Sequence, residues 1–254
     1  MKLSILVPFR DADGTRTRAK EWILARWAHF YPEAEIIVEP DDGIDPFNKS
    51  YAVNRCAEKA TGDTFMVLDA DTWVEPAHIS RAFNLIAHGI PWVVPANRHM
   101  RLRREFSERL MKLDPKGPLP PIQAQHAETQ GPVVGFAWII PRKAWEAVGG
   151  MDERIRGWGG EDTSFTWAMD RVNGRHRRLN GVAMCLWHDR PRDARRNRIW
   201  VGQDRSQEQE KALVVQAYSR ARTRDAMLAV LGKAAPIVEA APVRVPPWKK
   251  RRTA

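Results

Sequence analysis

Two aspartates separated by one alanine, Asp69 and Asp71, directly follow the apolar run 64–68. A short continuous apolar run favours a buried strand, so both carboxylates are expected at a strand end. Carboxylates there are costly to desolvate unless a cation or a hydrogen-bond donor satisfies them. Two of them can hold a hard divalent ion whose other ligands are water and substrate phosphates, and such an ion can neutralise a departing diphosphate. An Asp-x-Asp alone is more often a solvated loop or a helix cap, but the preceding strand favours a metal site.

A glycine-rich segment, Gly-Trp-Gly-Gly-Glu-Asp at 157–162, is the second candidate for chemistry. Glu161 and Asp162 begin a helical pattern, and the helix dipole favours negative charge in a first turn without any function. Three glycines around Trp158 exceed what capping needs, and they indicate a loop that brings backbone and an aromatic ring to a ligand. A carboxylate beside such a loop can take a proton from an attacking hydroxyl.

A histidine, His188, ends the apolar run 182–187. A single histidine after a strand is usually polar surface. In a chain that also carries an Asp-x-Asp, it is a candidate metal ligand, because ions such as Mn²⁺ accept imidazole together with carboxylate.

These residues lie at the ends of apolar runs that alternate with helical patterns. Alternating strands and helices predict an α/β fold with a mostly parallel sheet and helices on both faces, and ligands of such sheets bind beyond the carboxyl ends of the strands. Residues 114–132, rich in Pro and Gln, predict a long loop. The predicted strands are 3–7, 35–39, 64–68, 92–94, 133–140 and 182–187, and the predicted helices are 21–30, 48–60, 78–87, 98–112, 161–172 and 207–231.

The composition is that of a globular protein with an excess of basic residues. The chain has 254 residues, a net charge of +10 and a pI near 10. Such a charge favours contact with polyanions, including nucleic acid, although a solvated basic surface explains it equally well. The two cysteines form no CxxC pair, and no run is long and apolar enough for a signal peptide or a membrane span. We therefore expect a soluble cytoplasmic protein without a membrane anchor.

The order of these motifs resembles that of GT-A glycosyltransferases, and most closely that of the β-1,4-galactosyltransferase family. Weaker similarity extends to family-2 transferases and to polypeptide N-acetylgalactosaminyltransferases. The resemblance predicts a GT-A domain over 1–203, with a nucleotide-binding half 1–97 and an acceptor half 98–203, then a helical segment 204–232 and a basic, disordered tail 233–254. The motifs that carry the resemblance are PFR at 8–10, FNKSYAVN at 47–54, DAD at 69–71, the segment 135–162 ending in GWGGED, and LWH at 186–188.

The resemblance also implies a role for each motif residue. Seven residues are assigned to the nucleotide: Pro8, Phe9 and Arg10 lining its pocket, Phe47 near the uracil, Asp42 contacting the uracil, Lys49 approaching the diphosphate, and Asp69 facing the ribose or donor sugar. Six residues are assigned to the metal and the reaction: Asp71 and His188 as ligands, Cys185 as a candidate ligand where the family has methionine, Trp158 on a closing loop, Glu161 at the acceptor, and Asp162 as the catalytic base.

The predicted function is transfer of a sugar from a UDP-sugar to a hydroxyl, with Mn²⁺ or Mg²⁺ as cofactor. Inversion at the anomeric carbon is expected, with retention left open. The acceptor is open among a hydroxymethylated DNA base, a protein side chain and a glycan, since Thr163 and Ser164 replace an acidic run of the family. Basic residues at 98–112 and 190–198 could contact DNA phosphates, although such clusters are more often solvated surface. The alternative is a non-catalytic nucleic-acid-binding protein on a degenerate GT-A fold.

Overall fold

The computed structural model describes residues 2–11, 14–132, 134–188 and 205–232. The predicted basic run at 190–198, the predicted domain boundary after 203 and the predicted tail 233–254 lie outside the described residues. Within the described part, strands and helices alternate as predicted. The strands are β1 (Leu3–Pro8), β2 (Glu35–Glu39), β3 (Thr64–Leu68), β4 (Thr72–Val74), β5 (Val93–Val94), β6 (Arg98–Leu102), β7 (Ala127–Gln130), β8 (Ala137–Pro141), β9 (Arg177–Arg178) and β10 (Val182–Cys185). The helices are α1 (Thr15–Phe30), α2 (Lys49–Lys59), α3 (Pro76–Ala87), α4 (Arg104–Leu110), α5 (Arg142–Val148), α6 (Glu161–Asn173), α7 (Arg205–Arg220) and α8 (Arg224–Val230).

The central sheet has the order β2-β1-β3-β8-β5-β9. β1 pairs in parallel with both β2 and β3, whereas β8 runs antiparallel to β3 and β5. β1, β3 and β8 are buried along their whole length, as expected for strands covered on both faces. Helix α2 packs on β1 and β2, and α3 and α5 pack on β8. The α/β class predicted from the sequence is confirmed.

A second sheet, of order β4-β10-β6-β7, lies beside the first. Trp27 of α1 links it to the core, because its ring packs against Trp73 of β4 at 4.4 Å between centroids and its indole N–H donates to the Thr72 carbonyl at 3.2 Å. The burial of large aromatic surfaces at this junction holds β4 in a fixed position.

Three of the predicted segments differ from the structure. The region 98–112, predicted as one helix, contains strand β6 followed by α4, because β6 has hydrogen-bonding partners on both sides, β10 and β7. Strand β7 itself lies in the predicted loop 114–132. The predicted helix 207–231 is divided into α7 and α8, since the Thr223 side chain accepts the Ala226 N–H at 3.2 Å and caps a new helix. No helix of the described residues has the length and apolarity that crossing a membrane requires.

Candidate active site

The Asp-x-Asp segment connects the two sheets. β3 of the central sheet ends at Leu68 and β4 of the second sheet begins at Thr72, so Asp69 and Asp71 lie on the connection. The Asp69 N–H donates to the Phe136 carbonyl at 3.1 Å, and the Thr72 N–H donates to the Asp69 carbonyl at 2.9 Å. These backbone hydrogen bonds hold both carboxylates at the carboxyl end of β3.

Strand pairing in the second sheet brings His188 to Asp71. In the antiparallel pair of β4 and β10, Cys185 lies opposite Thr72, and the Leu186 N–H donates to the Asp71 carbonyl at 2.9 Å. His188 Nε2 consequently lies 3.6 Å from Asp71 Oδ2, with the two side chains 14% and 17% exposed. An imidazole and a carboxylate that converge and remain reachable fit two ligands of a divalent ion such as Mn²⁺. Within the described ranges, no set of three or more His, Cys, Asp and Glu side chains forms a metal-binding group.

Cys185, a candidate ligand from the sequence, has His99 and Thr72 as its nearest polar partners. Its Sγ lies 2.7 Å from His99 Nε2 and 3.0 Å from Thr72 Oγ1, and the residue is buried. Burial raises the pKa of the thiol well above its ordinary value, and the negative charge of Asp71 adds to the rise. The sulfur is thus engaged by His99 and Thr72, and its role as a metal ligand stays a prediction.

Glu161 and Asp162 begin helix α6, with Glu161 buried and the Asp162 side chain 21% exposed. Burial raises the pKa of Asp162 well above its ordinary value, the Lys49 ammonium opposes the rise, and the charges of Glu161 and Asp69 add to it. The pKa of Glu161 is raised for the same first reason, burial. A carboxylate whose pKa is raised toward neutrality is suited to act as a general base.

Lys49 lies against carboxylates, although the resemblance assigned it to the diphosphate. Its Nζ is 2.8 Å from Asp69 Oδ1, 3.0 Å from Asp162 Oδ1 and 2.8 Å from the Gly135 carbonyl. The ammonium therefore joins the carboxyl end of β3 to the first turn of α6, and it brings Asp69 and Asp162 together.

The predicted nucleotide pocket is organised by Arg10. Its Nε donates to Asp41 Oδ1 at 2.7 Å, its Nη1 lies 2.5 Å from Asp45 Oδ1, and its guanidinium lies 5.8 Å from the centre of the Phe47 ring. Asp41, which is buried, also accepts the Asn48 N–H at 3.0 Å. Asp41 is not among the residues predicted for the site, although the Asp-Asp-Gly run after β2 could have identified it.

Asp42, rather than facing an open pocket, is paired with Arg156. The two Nη atoms lie 2.6 and 2.9 Å from the carboxylate oxygens, and this hydrogen bonding lowers the pKa of Asp42. Each carboxylate oxygen has a further lone pair, so the contact of Asp42 with uracil stays a prediction. Of the other predicted pocket residues, Pro8 ends β1 opposite Glu39, and the Phe9 ring lies 4.0 Å from Lys20 Nζ.

The loop of Trp158 is held at its base and exposed at its tip. Trp158 is 69% exposed. The Gly157 N–H donates to the Phe47 carbonyl at 3.0 Å, and the Trp158 carbonyl accepts from Lys211 Nζ of α7 at 3.3 Å. Gly157, Gly159 and Gly160 have φ of 71°, 95° and 97°, a region that favours glycine. The glycines thus permit a turn that exposes the indole ring of Trp158 to solvent.

Comparisons with known proteins agree with this architecture. The model of N-terminal domain of galactosyltransferase matches residues 126–184. No curated protein sequence matches the chain significantly. The catalytic domain of Drosophila β-1,4-galactosyltransferase 7, solved with xylobiose, is similar in fold, with a TM-score of 0.51, 17% identity, and coverage of 88% of this chain and 83% of that one. GalNAc-T7, solved with UDP, GalNAc and Mn²⁺, has a TM-score of 0.52, 13% identity, and coverage of 86% and 50%.

The model of the family named glycosyl transferase family 2 matches residues 12–149, which is more than half of the chain. This range contains the Asp-x-Asp connection, Lys49 and the Arg10 partner Asp41. The chain therefore belongs to glycosyl transferase family 2 and is a glycosyltransferase with the GT-A fold.

Proposed function

We propose that this protein transfers a sugar from a UDP-sugar to a hydroxyl group in a metal-dependent, inverting reaction, with Asp162 as the general base. The observation that supports the proposal most directly is the convergence of two kinds of groups at one end of the fold. Asp71 and His188 approach within 3.6 Å of each other, and the half-buried Asp162 is linked through Lys49 to Asp69, two residues before Asp71.

The donor would lie with its diphosphate toward Asp71 and His188. A divalent ion held by these two residues would neutralise the diphosphate as it leaves. The structure of GalNAc-T7 with UDP, GalNAc and Mn²⁺ supports UDP-sugar and Mn²⁺ as the first donor and ion to test. The uridine would enter beside Phe47 and Arg10, and Trp158 would cover the donor from its exposed loop.

Asp162 would remove the proton from the acceptor hydroxyl. The hydroxyl oxygen forms a bond to the anomeric carbon as the bond from that carbon to the diphosphate oxygen breaks, and the proton passes to Asp162. Attack opposite to the leaving group inverts the anomeric configuration. Glu161, buried next to Asp162, would bind an acceptor or sugar hydroxyl.

A panel of UDP-sugars, assayed for UDP release with Mn²⁺, with Mg²⁺ and with a chelator, tests the proposal. We expect one donor to release UDP only when the metal is present, and the anomer of the product to report inversion. Neither UDP release nor UDP binding from any donor would refute the proposal and favour a non-catalytic nucleic-acid-binding protein.

The basic surface supports DNA with hydroxymethylated bases as the first acceptor to test, ahead of protein side chains and glycans. Arg101 lies at the site end of β6, opposite Cys185 of β10, and the Arg104 guanidinium lies 4.7 Å from the ring centre of Trp187. A phosphate-bearing acceptor would find positive charge beside the strand that leads to His188.

A further inference from the structure

The Lys49 ammonium is surrounded by oxygen atoms of the protein. An ammonium group has three N–H donors, and Nζ has three close oxygen atoms, one each on Asp69, Asp162 and Gly135, at 2.8 to 3.0 Å. Its side chain is only 11% exposed. The group that the resemblance assigned to the donor diphosphate is therefore already paired with two carboxylates and hydrogen-bonded to one carbonyl.

The Asp162 side chain is confined between Lys49 and the backbone of Gly135. A Cβ atom at Gly135 would lie 1.8 Å from Asp162 Oδ2, and Gly135 has a φ of +97°. No other residue type would leave room for the carboxylate in this place. Gly135 therefore limits where the carboxylate can lie, and the ammonium on its other oxygen fixes its direction.

The charges around Asp162 are unbalanced. Two carboxylates face it, Glu161 from its own helix and Asp69 from the end of β3, whereas Lys49 from α2 is the one cation among the groups that act most strongly on it. A buried carboxylate near two others is expected to take up a proton unless a cation opposes this. Without Lys49, the pKa of Asp162 would rise further, and the carboxyl would remain protonated, and unable to accept a proton, over a wider pH range.

We propose that Lys49 is a positioning residue that keeps the Asp162 carboxylate ionised and oriented, and so determines whether the base of the transfer reaction can act. The catalytic consequence rests on the proposed function, whereas the effect of Lys49 on Asp162 does not. The proposal assigns Lys49 to the base rather than to the donor.

The test compares neutral variants, Lys49→Met and Lys49→Gln, with Lys49→Arg, which retains the charge. Lys59→Met is the matched control, because Lys59 lies on the same helix and pairs with Glu39 at 2.6 Å, away from Asp162. Two quantities are measured: the pH dependence of metal-dependent UDP release, and the titration of the Asp162 carboxyl carbon by NMR, identified by its loss in Asp162→Asn.

We expect the neutral variants to move both the acidic limb of the activity profile and the titration of Asp162 upward by about 1 pH unit or more. Lys49→Arg, which retains the charge, should keep both values close to those of wild type. Lys59→Met should leave both at their wild-type positions. If the neutral variants unfold at pH 8 but fold at lower pH, because the carboxylates then take up protons, the proposal is also supported.

An unchanged Asp162 titration in a folded neutral variant would overturn the proposal. If the wild-type protein releases no UDP, the proposed function is refuted. If the Asp162 titration nevertheless moves upward in Lys49→Met, the role of Lys49 stands. Equal shifts in Lys49→Met and Lys59→Met would show a general charge effect and would also overturn it.

Discussion

At the scale of single residues, the burial of Asp162 determines the pH range in which the proposed base can act. Because burial raises the pKa of this carboxyl well above its ordinary value, we expect kcat/KM to fall with decreasing pH well above pH 4, the usual pKa of aspartate being about 4. A profile measured from pH 4 to pH 9 that stays flat down to about pH 4 would contradict this.

Replacing Asp162 with Asn separates its chemical role from its binding role. We expect Asp162→Asn to lower turnover by about a hundredfold or more, with the affinity for UDP in the presence of Mn²⁺, measured calorimetrically, within about threefold of wild type. Stability should change with a defined sign. A carboxyl whose pKa is raised on folding stabilises the protein at low pH, and this contribution is lost as pH rises through the folded-state pKa. The unfolding free energy of the variant should therefore vary less with pH, and near-wild-type turnover would show that another group is the base.

The metal site gives a second prediction at this scale. Asp71→Asn and His188→Ala should each weaken Mn²⁺ binding in the presence of UDP by at least about tenfold, because each removes a proposed ligand of the metal ion. Cys185→Ala is the control, since the thiol contacts His99 and Thr72 instead. Mn²⁺ titrations followed by electron paramagnetic resonance distinguish the variants. An equal loss of Mn²⁺ affinity in Cys185→Ala would show that the sulfur is a metal ligand.

The residues of the site could be predicted from motifs, but their pairing could not. Asp69, Asp71, Asp162 and His188 follow strands or begin a helix, and strand order alone brings such positions to one edge. The contacts of Lys49 with Asp69 and Asp162, and of Asp42 with Arg156, depend on side-chain directions between segments far apart in the chain. No local periodicity records those directions.

At the scale of elements, helix α7 stabilises the Trp158 loop from a part of the chain that neither family match covers. Lys211, which is buried, donates to the Trp158 carbonyl, and the Tyr218 hydroxyl donates to Asp152 Oδ2 at 3.0 Å. A Cβ atom at Gly160 would lie 2.6 Å from Val215 Cγ2, so the helix packs directly on the loop backbone.

We therefore expect Lys211→Met to loosen this loop. Hydrogen exchange of the amides at 157–160 should become at least about fivefold faster, because the hydrogen bond that is lost contributes about 1 kcal/mol or more. Leu213→Ala is the matched control on the same helix, since Leu213 is 66% exposed. Equal exchange in Lys211→Met and wild type would show that α7 does not restrain the loop.

Elements with a strong local pattern were predicted well, and those defined by partners were not. The apolar runs of β1 and β3 and the amphipathic spacing of α2 suffice to identify them. Strand β6 reads Arg-His-Met-Arg-Leu, and its charged residues favoured a helix. Its strand conformation is determined by hydrogen bonds to β7 and β10, which are distant in sequence.

At the scale of the whole molecule, the two sheets do not divide the chain at residue 97. β8, from the second half, pairs with β3 in the central sheet, and β4, from the first half, pairs with β10 in the second sheet. The Asp-x-Asp connection lies where the sheets meet. Asp69 follows β3 of the central sheet and Asp162 lies in the first turn of α6, whereas His188 follows β10 of the second sheet. The arrangement of the two sheets therefore sets the distance between the proposed base and the proposed metal ligands.

The net charge of +10 gives the last prediction, because it belongs to the molecule rather than to a motif. If DNA is the acceptor, binding should weaken steeply with salt. Arg101→Gln and Arg103→Gln should each reduce the magnitude of the negative slope of log affinity against log salt by about 1. Lys143→Gln makes the same change of charge on α5. This helix follows the end of β8 that pairs with Thr64, which is the end away from Asp69. This substitution should leave the slope unchanged. Equal slopes for all three variants would mean that DNA contacts the basic surface diffusely, and the reacting hydroxyl should then be sought on a protein or a glycan.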